Sequence, residues 1–290
     1  MFLLTTTLVY SQTHSGNFEW WNKKHNWDGH TPWQQYITLS SSFMGPNALP
    51  VPKIQEATIL KSPSLEYSST VHAHPGDHTI DSKLRFVYPL FNRIQLETWI
   101  VPVEYFEITD TTIRDERAIR YQNPSGTAFG DLYAGAHIKI LDGENSPNLV
   151  MGFAVKTASG SKLSMARYSD TPGYYFDISL GQTWNYPDKK LKKIQAYGMA
   201  GFYVYQTFDV QHNQNDAFLY GAGINLDFQK YIIKNQLGGY FGYMEIGDDP
   251  MVYRFEFRFV LQHLDWFIRY QYGINDFPYH STGIGINYRL

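Results

Sequence analysis

The chain of 290 residues contains no cysteine. That excludes a disulfide scaffold, a thiol nucleophile and any zinc site built on thiolates. No run of about 18 apolar residues is present, so no transmembrane helix can be drawn from the sequence. Helical periodicity is nearly absent as well. There is no basic excess either: 24 Lys and Arg against 27 Asp and Glu leave a net charge of −3, a balance that calls for no nucleic-acid partner.

Aromatic residues are abundant: 23 Tyr, 19 Phe and 7 Trp make up 17% of the chain. Tyr and Trp settle where a membrane meets water, so such an excess suits a barrel with two aromatic girdles. A Tyr-rich sandwich would share the composition, and the pattern along the chain has to decide.

That pattern is a repeat of alternating segments of about ten residues separated by turn chemistry. In Met251–Leu261, Tyr253, Phe255, Phe257, Phe259 and Leu261 share one face, and Arg254, Glu256 and Arg258 the other. Period two sends these sets to opposite sides of a sheet. Phe218 to Phe228, Tyr174 to Leu180 and Leu132 to Ile140 repeat the form, and the chain ends on Ile284, Ile286, Tyr288 and Leu290 against Gly285, Asn287 and Arg289. The second face is charged or small and rich in glycine, which suits a polar lumen better than the apolar interior of a sandwich.

The fold expected is a closed antiparallel transmembrane β-barrel of about twelve strands, with fourteen as the alternative count. The strands fall near 64–74, 78–88, 92–105, 129–141, 148–158, 173–184, 193–206, 216–228, 230–243, 251–261, 264–273 and 278–290. Joins at 89–92, 142–147, near 229 and at 263–264 are short, whereas 109–129, 158–172 and 207–216 are long. Such asymmetry is usual for periplasmic turns and outer loops.

Residues 1–12 resemble the end of a secretory signal peptide without its charged start. Residues 13–63 form a Trp- and Pro-rich segment, expected to be periplasmic or inserted in the lumen, before a barrel over 64–290. The run from Gly45 to Pro52 cannot be a central strand, and one extra strand at Trp33–Phe43 would put the N-terminus on the outside.

The stretch Phe129-Gly-Asp-Leu-Tyr-Ala-Gly-Ala-His-Ile-Lys-Ile-Leu-Asp-Gly143, with Lys156-Thr157-Ala-Ser-Gly160 after the next strand, resembles outer-membrane barrels of the phenol-degradation meta-pathway (MetA-type) transporter-like family. The resemblance spans about 35 residues. It implies uptake of a small molecule and offers no catalytic residues to carry over.

Two constellations carry candidate chemistry. His72, His74, Asp77 and His78 surround a Pro75-Gly76 turn, where imidazoles and a carboxylate could hold a divalent metal; Pro-Gly-Asp is also ordinary hairpin chemistry. Lys83, Arg85, Lys139, Lys156, Lys234, Arg254, Arg258, Arg269 and Arg289 fall on inward faces, as do Glu66, Glu97, Asp131, Asp177, Asp227 and Glu256. Closure should gather Arg254, Arg258, Arg269 and Arg289 near Glu66, with Arg85 and Glu256 beside them. Such a cluster is either a basic filter for anionic solutes or a set of ion pairs bracing the lumen.

Outer-membrane phospholipases are twelve-stranded barrels with a Ser–His–Asn arrangement on the lipid-facing side. Here His137 alternates inward, and no serine and histidine are expected within reach on adjacent strands, so no enzyme is expected. Ser164 and Ser169 read as loop polarity, and the basic run from Asn185 to Lys193 as a solvated turn. The function expected is a Gram-negative outer-membrane channel or transporter for a small solute, anionic or hydrophobic, needing no cofactor. The alternative is a non-conducting barrel that supports an envelope assembly through its N-terminal segment, and a lipid-modifying enzyme comes third. The partners expected are outer-membrane lipid, the solute and an envelope protein.

Overall fold

The computed structural model describes residues 18–143 and 146–290, so the leader reading of residues 1–12 lies outside the described residues. The strands are β1 Ser64–His74, β2 Asp77–Leu90, β3 Ile94–Ile108, β4 Ser125–Ala128, β5 Tyr133–Leu141, β6 Asn148–Lys156 and β7 Gly173–Asn185. They continue as β8 Lys193–Gln206, β9 Gln214–Asp227, β10 Tyr231–Phe241, β11 Met251–Val260, β12 Leu264–Asn275 and β13 His280–Arg289. Each pairs antiparallel with its neighbours, and β13 returns to β1 with Ser64 opposite Arg289, closing the sheet. β4 is no additional stave: β3 pairs with β5 through Ile94–Trp99 and with β4 through Glu104–Glu107, so β4 and β5 are one interrupted strand. The wall therefore has twelve staves, and Trp33–Tyr36 forms a 3-10 turn rather than a further one.

The alternation sorts as period two requires. Leu65, Tyr67, Phe153, Ile178, Phe202, Trp266 and Ile284 are exposed on the outside, while Glu66, Ser68, Asp177, Ser179, Glu256 and Asn287 are buried inside. β3 departs once. Ser82 faces Val103 but Leu84 faces Ile100, so β3 carries one extra residue beside Pro102, which has no N–H to give the ladder. The inward set consequently shifts from Gln95 and Glu97 to Glu104 and Phe106.

One rim carries the joins that follow β2, β5, β7, β9 and β11 together with the end of β13. The other carries the longer connections at 109–124, 157–172, 207–213 and 242–250, with α2 (Thr111–Glu116) in the first of them. Residues 18–43, including α1 (Glu19–Lys24), pack on this long-loop rim: Trp21 is fully buried and its Nε1 donates to the Ala118 carbonyl at 2.9 Å.

The apolar core lies inside the barrel. About eight strands enclose a space that side chains fill, whereas sixteen or more leave an open channel. Twelve strands leave a space that this chain fills with its own residues 44–57. Met44, Ala48, Leu49, Val51, Ile54 and Ala57 are 0–3% exposed among inward Tyr197, Met199, Tyr203 and Tyr240. An extended, proline-rich stretch has few N–H groups to satisfy, but its carbonyls need donors. Wall side chains supply them: Gln195 to Glu56 O at 2.7 Å, Gln236 to Ile54 O at 3.3 Å and Tyr240 to Leu49 O at 3.2 Å.

Candidate solute site in the lumen

The register of β1, β2, β11, β12 and β13 sets most of the expected charged residues side by side. Glu66 lies opposite Arg85, and Glu256 opposite Arg269. Arg269 donates Nη1 to Glu66 Oε1 at 2.8 Å, Nη2 to Oε2 at 3.2 Å and Nε to Glu256 Oε2 at 2.5 Å. Arg258 donates to Glu256 Oε1 at 2.8 Å and reaches Asp265, whose other oxygen accepts from Arg289 at 2.8 Å. Arg85 pairs with Glu97. Arg254 stands apart from these carboxylates: it donates to Gln271 at 2.7 Å and to the carbonyls of Val51 and Pro52 at 2.6 and 3.0 Å. Elsewhere in the lumen, Lys156 meets Asp131 at 3.0 Å and Lys234 meets Glu56 of the inserted segment at 2.5 Å.

Between residues 46–56 and the wall lies a cavity of about 250 Å³. Its lining includes Arg85, Lys234 and Arg269, all matched to carboxylates, and Lys53, Lys83 and Arg254, which have no carboxylate within ion-pair distance among the described residues. Trp99, Tyr133, Tyr175 and Tyr203 add an aromatic wall. Trp99 stacks on Tyr133 with centroids 4.8 Å apart, and the Lys83 ammonium lies 5.9 Å from the Trp99 ring centre. Lys53 eluded the sequence reading because the segment that carries it has no strand period. Tyr175 and Tyr203 were legible by parity, being one residue out of phase with outward Tyr174 and Phe202.

The four expected metal ligands do not converge. His72 is buried, with Nε2 2.8 Å from Asp81 and Nδ1 2.7 Å from Ser281 Oγ. His74 rests against Tyr279, Asp77 is held by Arg117 and Arg167, and His78 is exposed on the outer face. Among the described residues no group of three His, Asp or Glu side chains could hold a metal ion.

Ser281, His72 and Asp81 also correct the expectation that no serine and histidine meet on adjacent strands. Strand closure makes β1 and β13 neighbours and places Ser281 directly opposite His72, a pairing that 209 residues of sequence separation conceal. The order of atoms differs from a hydrolase triad, where the serine meets Nε2 and the carboxylate meets Nδ1. His137 is buried on the inward face, and its Nδ1 has no hydrogen-bond partner among the described residues.

At the long-loop rim, fully buried Arg167 donates Nε to Glu104 at 2.8 Å, Nη1 to Asp77 at 3.1 Å and Nη2 to Thr79 at 2.8 Å. Burial alone would weaken this guanidinium, but Glu104 and Asp77 beside it raise its pKa above the ordinary arginine value. Asn47 of the inserted segment donates to Glu104 and Asp81 at 2.8 and 2.7 Å, and Gly45 N donates to Ala166 O at 2.7 Å. The loops and the segment are thereby locked together.

A closed twelve-strand antiparallel barrel, apolar outside and charged inside, is the architecture of outer-membrane barrels. Solved structures of that kind superpose on this chain. An outer-membrane channel from Pseudomonas putida F1 matches with a TM-score of 0.55 at 12% identity, covering 84% of this chain and 97% of that one. The porin NanC matches at 0.53 and 11%, covering 78% and 100%. The porin KdgM, solved in complex with disordered oligogalacturonate, matches at 0.51 and 10%, covering 78% and 99%. Identities this low carry the fold alone. No protein-family model and no curated protein matches the sequence.

Proposed function

We propose that this chain is a small-solute channel of a Gram-negative outer membrane, held closed by its own residues 44–57 and selective for anionic solutes. The observation that carries this reading is the cavity beside the inserted segment, where Lys53, Lys83 and Arg254 form no ion pair among the described residues. The lining carries six Lys and Arg against five Asp and Glu, and a net positive lining with unpaired cations in a low-dielectric bore favours anions. The exposed apolar belt would face lipid, with the short-turn rim in the periplasm and residues 18–43 on the outer surface. The MetA-type resemblance and the channel architecture of the structural neighbours support the same reading.

Conductance of the refolded protein in a planar bilayer tests it, with reversal potential measured in a salt gradient. Rare, discrete openings with anion preference are expected, and they should become frequent when the segment is loosened. A barrel that stays silent after the segment is released would overturn the channel reading.

The density of ties along residues 44–57 favours a second reading, a non-conducting barrel that displays residues 18–43 as a docking piece. It predicts envelope proteins that co-purify with the full chain and are lost when residues 13–63 are deleted.

A further inference from the structure

We infer that the lumen cavity is a binding site for one small ring-bearing carboxylate, and that Lys53 of the inserted segment forms the site jointly with Lys83 and Arg254 of the wall. The inference deepens the channel reading, and rests on it for the route by which the solute arrives.

Charge comes first. Arg85 is matched by Glu97, Lys234 by Glu56, and Arg269 by Glu66 and Glu256. Asp81 is engaged by His72 and Asn47. Six Lys and Arg against five Asp and Glu leave the lining with a net charge of +1, and the cations without a direct carboxylate partner among the described residues are three. Lys53 and Lys83 make no ion pair or hydrogen bond among the described residues, and Arg254 bonds only neutral acceptors. Lys53, Lys83 and Arg254 face one partly open space with carboxylates nearby but none in direct contact with them among the described residues, and a bound anion supplies that contact. Bracing accounts for Arg254, which ties the wall to the Val51 and Pro52 carbonyls, but not for Lys53 and Lys83.

Shape and polarity narrow the class. The cavity of about 250 Å³ is smaller than the pockets that hold drug-sized ligands. An inorganic ion would make no use of the aromatic wall that Trp99, Tyr133, Tyr175 and Tyr203 present to the cavity. A flat ring carrying one carboxylate satisfies both sides, its ring against the aromatic wall and its carboxylate among the cations. The ring could be a sugar or an arene, and the test separates the two.

The test is titration calorimetry on the full refolded chain in detergent micelles. D-glucuronate and benzoate are the probes, with D-glucose and benzyl alcohol as their neutral counterparts. Saturable one-to-one binding of one carboxylate, with its neutral counterpart inert, is the expected result, and the carboxylate that binds identifies the ring. Lys53→Met and Lys83→Met should each weaken binding about tenfold or more, the scale of one lost charge-assisted contact. Neither change orphans a carboxylate, so both variants should retain the migration of a folded barrel in unheated detergent gels. Absence of binding by either carboxylate, or binding that the double variant leaves intact, would overturn the inference. Binding by a barrel that never conducts would overturn the channel reading and leave the site standing. Conduction without binding would do the reverse.

Discussion

Arg254 holds the inserted segment by its backbone: Nη2 donates to the Val51 carbonyl at 2.6 Å and Nη1 to the Pro52 carbonyl at 3.0 Å. A wall residue 202 positions away in sequence from Pro52 thus satisfies two carbonyls of a stretch that has no ladder of its own. Replacing it with methionine keeps much of the bulk and removes both bonds. Hydrogen bonds to a charged group contribute about 1.5–3 kcal/mol each. Arg254→Met should therefore lengthen or multiply channel openings, read as open probability in planar bilayers. Unchanged gating would mean that this tie does not hold the segment.

Ile54 sits against the backbones of β9 and β10 at Gly221 and Gly238, where a methyl on either glycine would overlap its side chain. Gly238→Ala should push the segment off the wall at a cost of roughly 1–3 kcal/mol, the usual penalty of overpacking. Adding Ile54→Ala should restore part of that loss, because the two residues contact each other. Urea denaturation of the two single variants and the double one measures the coupling, and strictly additive effects would count against the contact.

A chain without cysteine allows one bridge to be placed cleanly. A β-carbon on residue 181 would lie 2.8 Å from that of Ala57, so a disulfide at 57 and 181 needs a separation increase of about 1 Å. Ala57→Cys with Gly181→Cys should be silent when oxidised and should recover its openings in reductant. Equal conductance in the two states would show that ions pass without movement of residue 57.

Arg167 bridges the loop after β6 to Glu104 and Asp77, with all three side chains fully buried. Arg167→Met leaves two buried carboxylates short of a partner, a change that typically costs about 3–5 kcal/mol. It should lower the unfolding midpoint and loosen the long-loop rim, which faster proteolysis within residues 157–172 would report. Glu104→Gln retains an acceptor for Arg167 and should cost less.

The wall could be read from the sequence because each stave carries its own signal. Tyr253 to Leu261 against Arg254 to Arg258 needs only period two, and β1 and β8 begin and end where alternation begins and ends. The inward charges were legible for the same reason, since parity alone assigns Glu66, Glu256 and Arg269 to one side. The extra residue in β3 was not legible. A bulge shifts parity without leaving a mark beyond Pro102, and Glu104 was missed as the partner of Arg167.

Local patterning by itself determined that the chain builds a closed antiparallel barrel of about twelve strands with an apolar exterior and a charged interior. Alternation is a property of neighbouring residues, and closure follows from the need to pair every edge. Only the tertiary structure decided how the interior is used. Which arginines meet carboxylates depends on register across the β13–β1 seam, which joins residues more than 200 positions apart. The site of Lys53 depends on a Pro-rich segment with no periodicity, whose course is set by wall side chains that donate to its carbonyls and by glycine notches in a wall built after it in the chain.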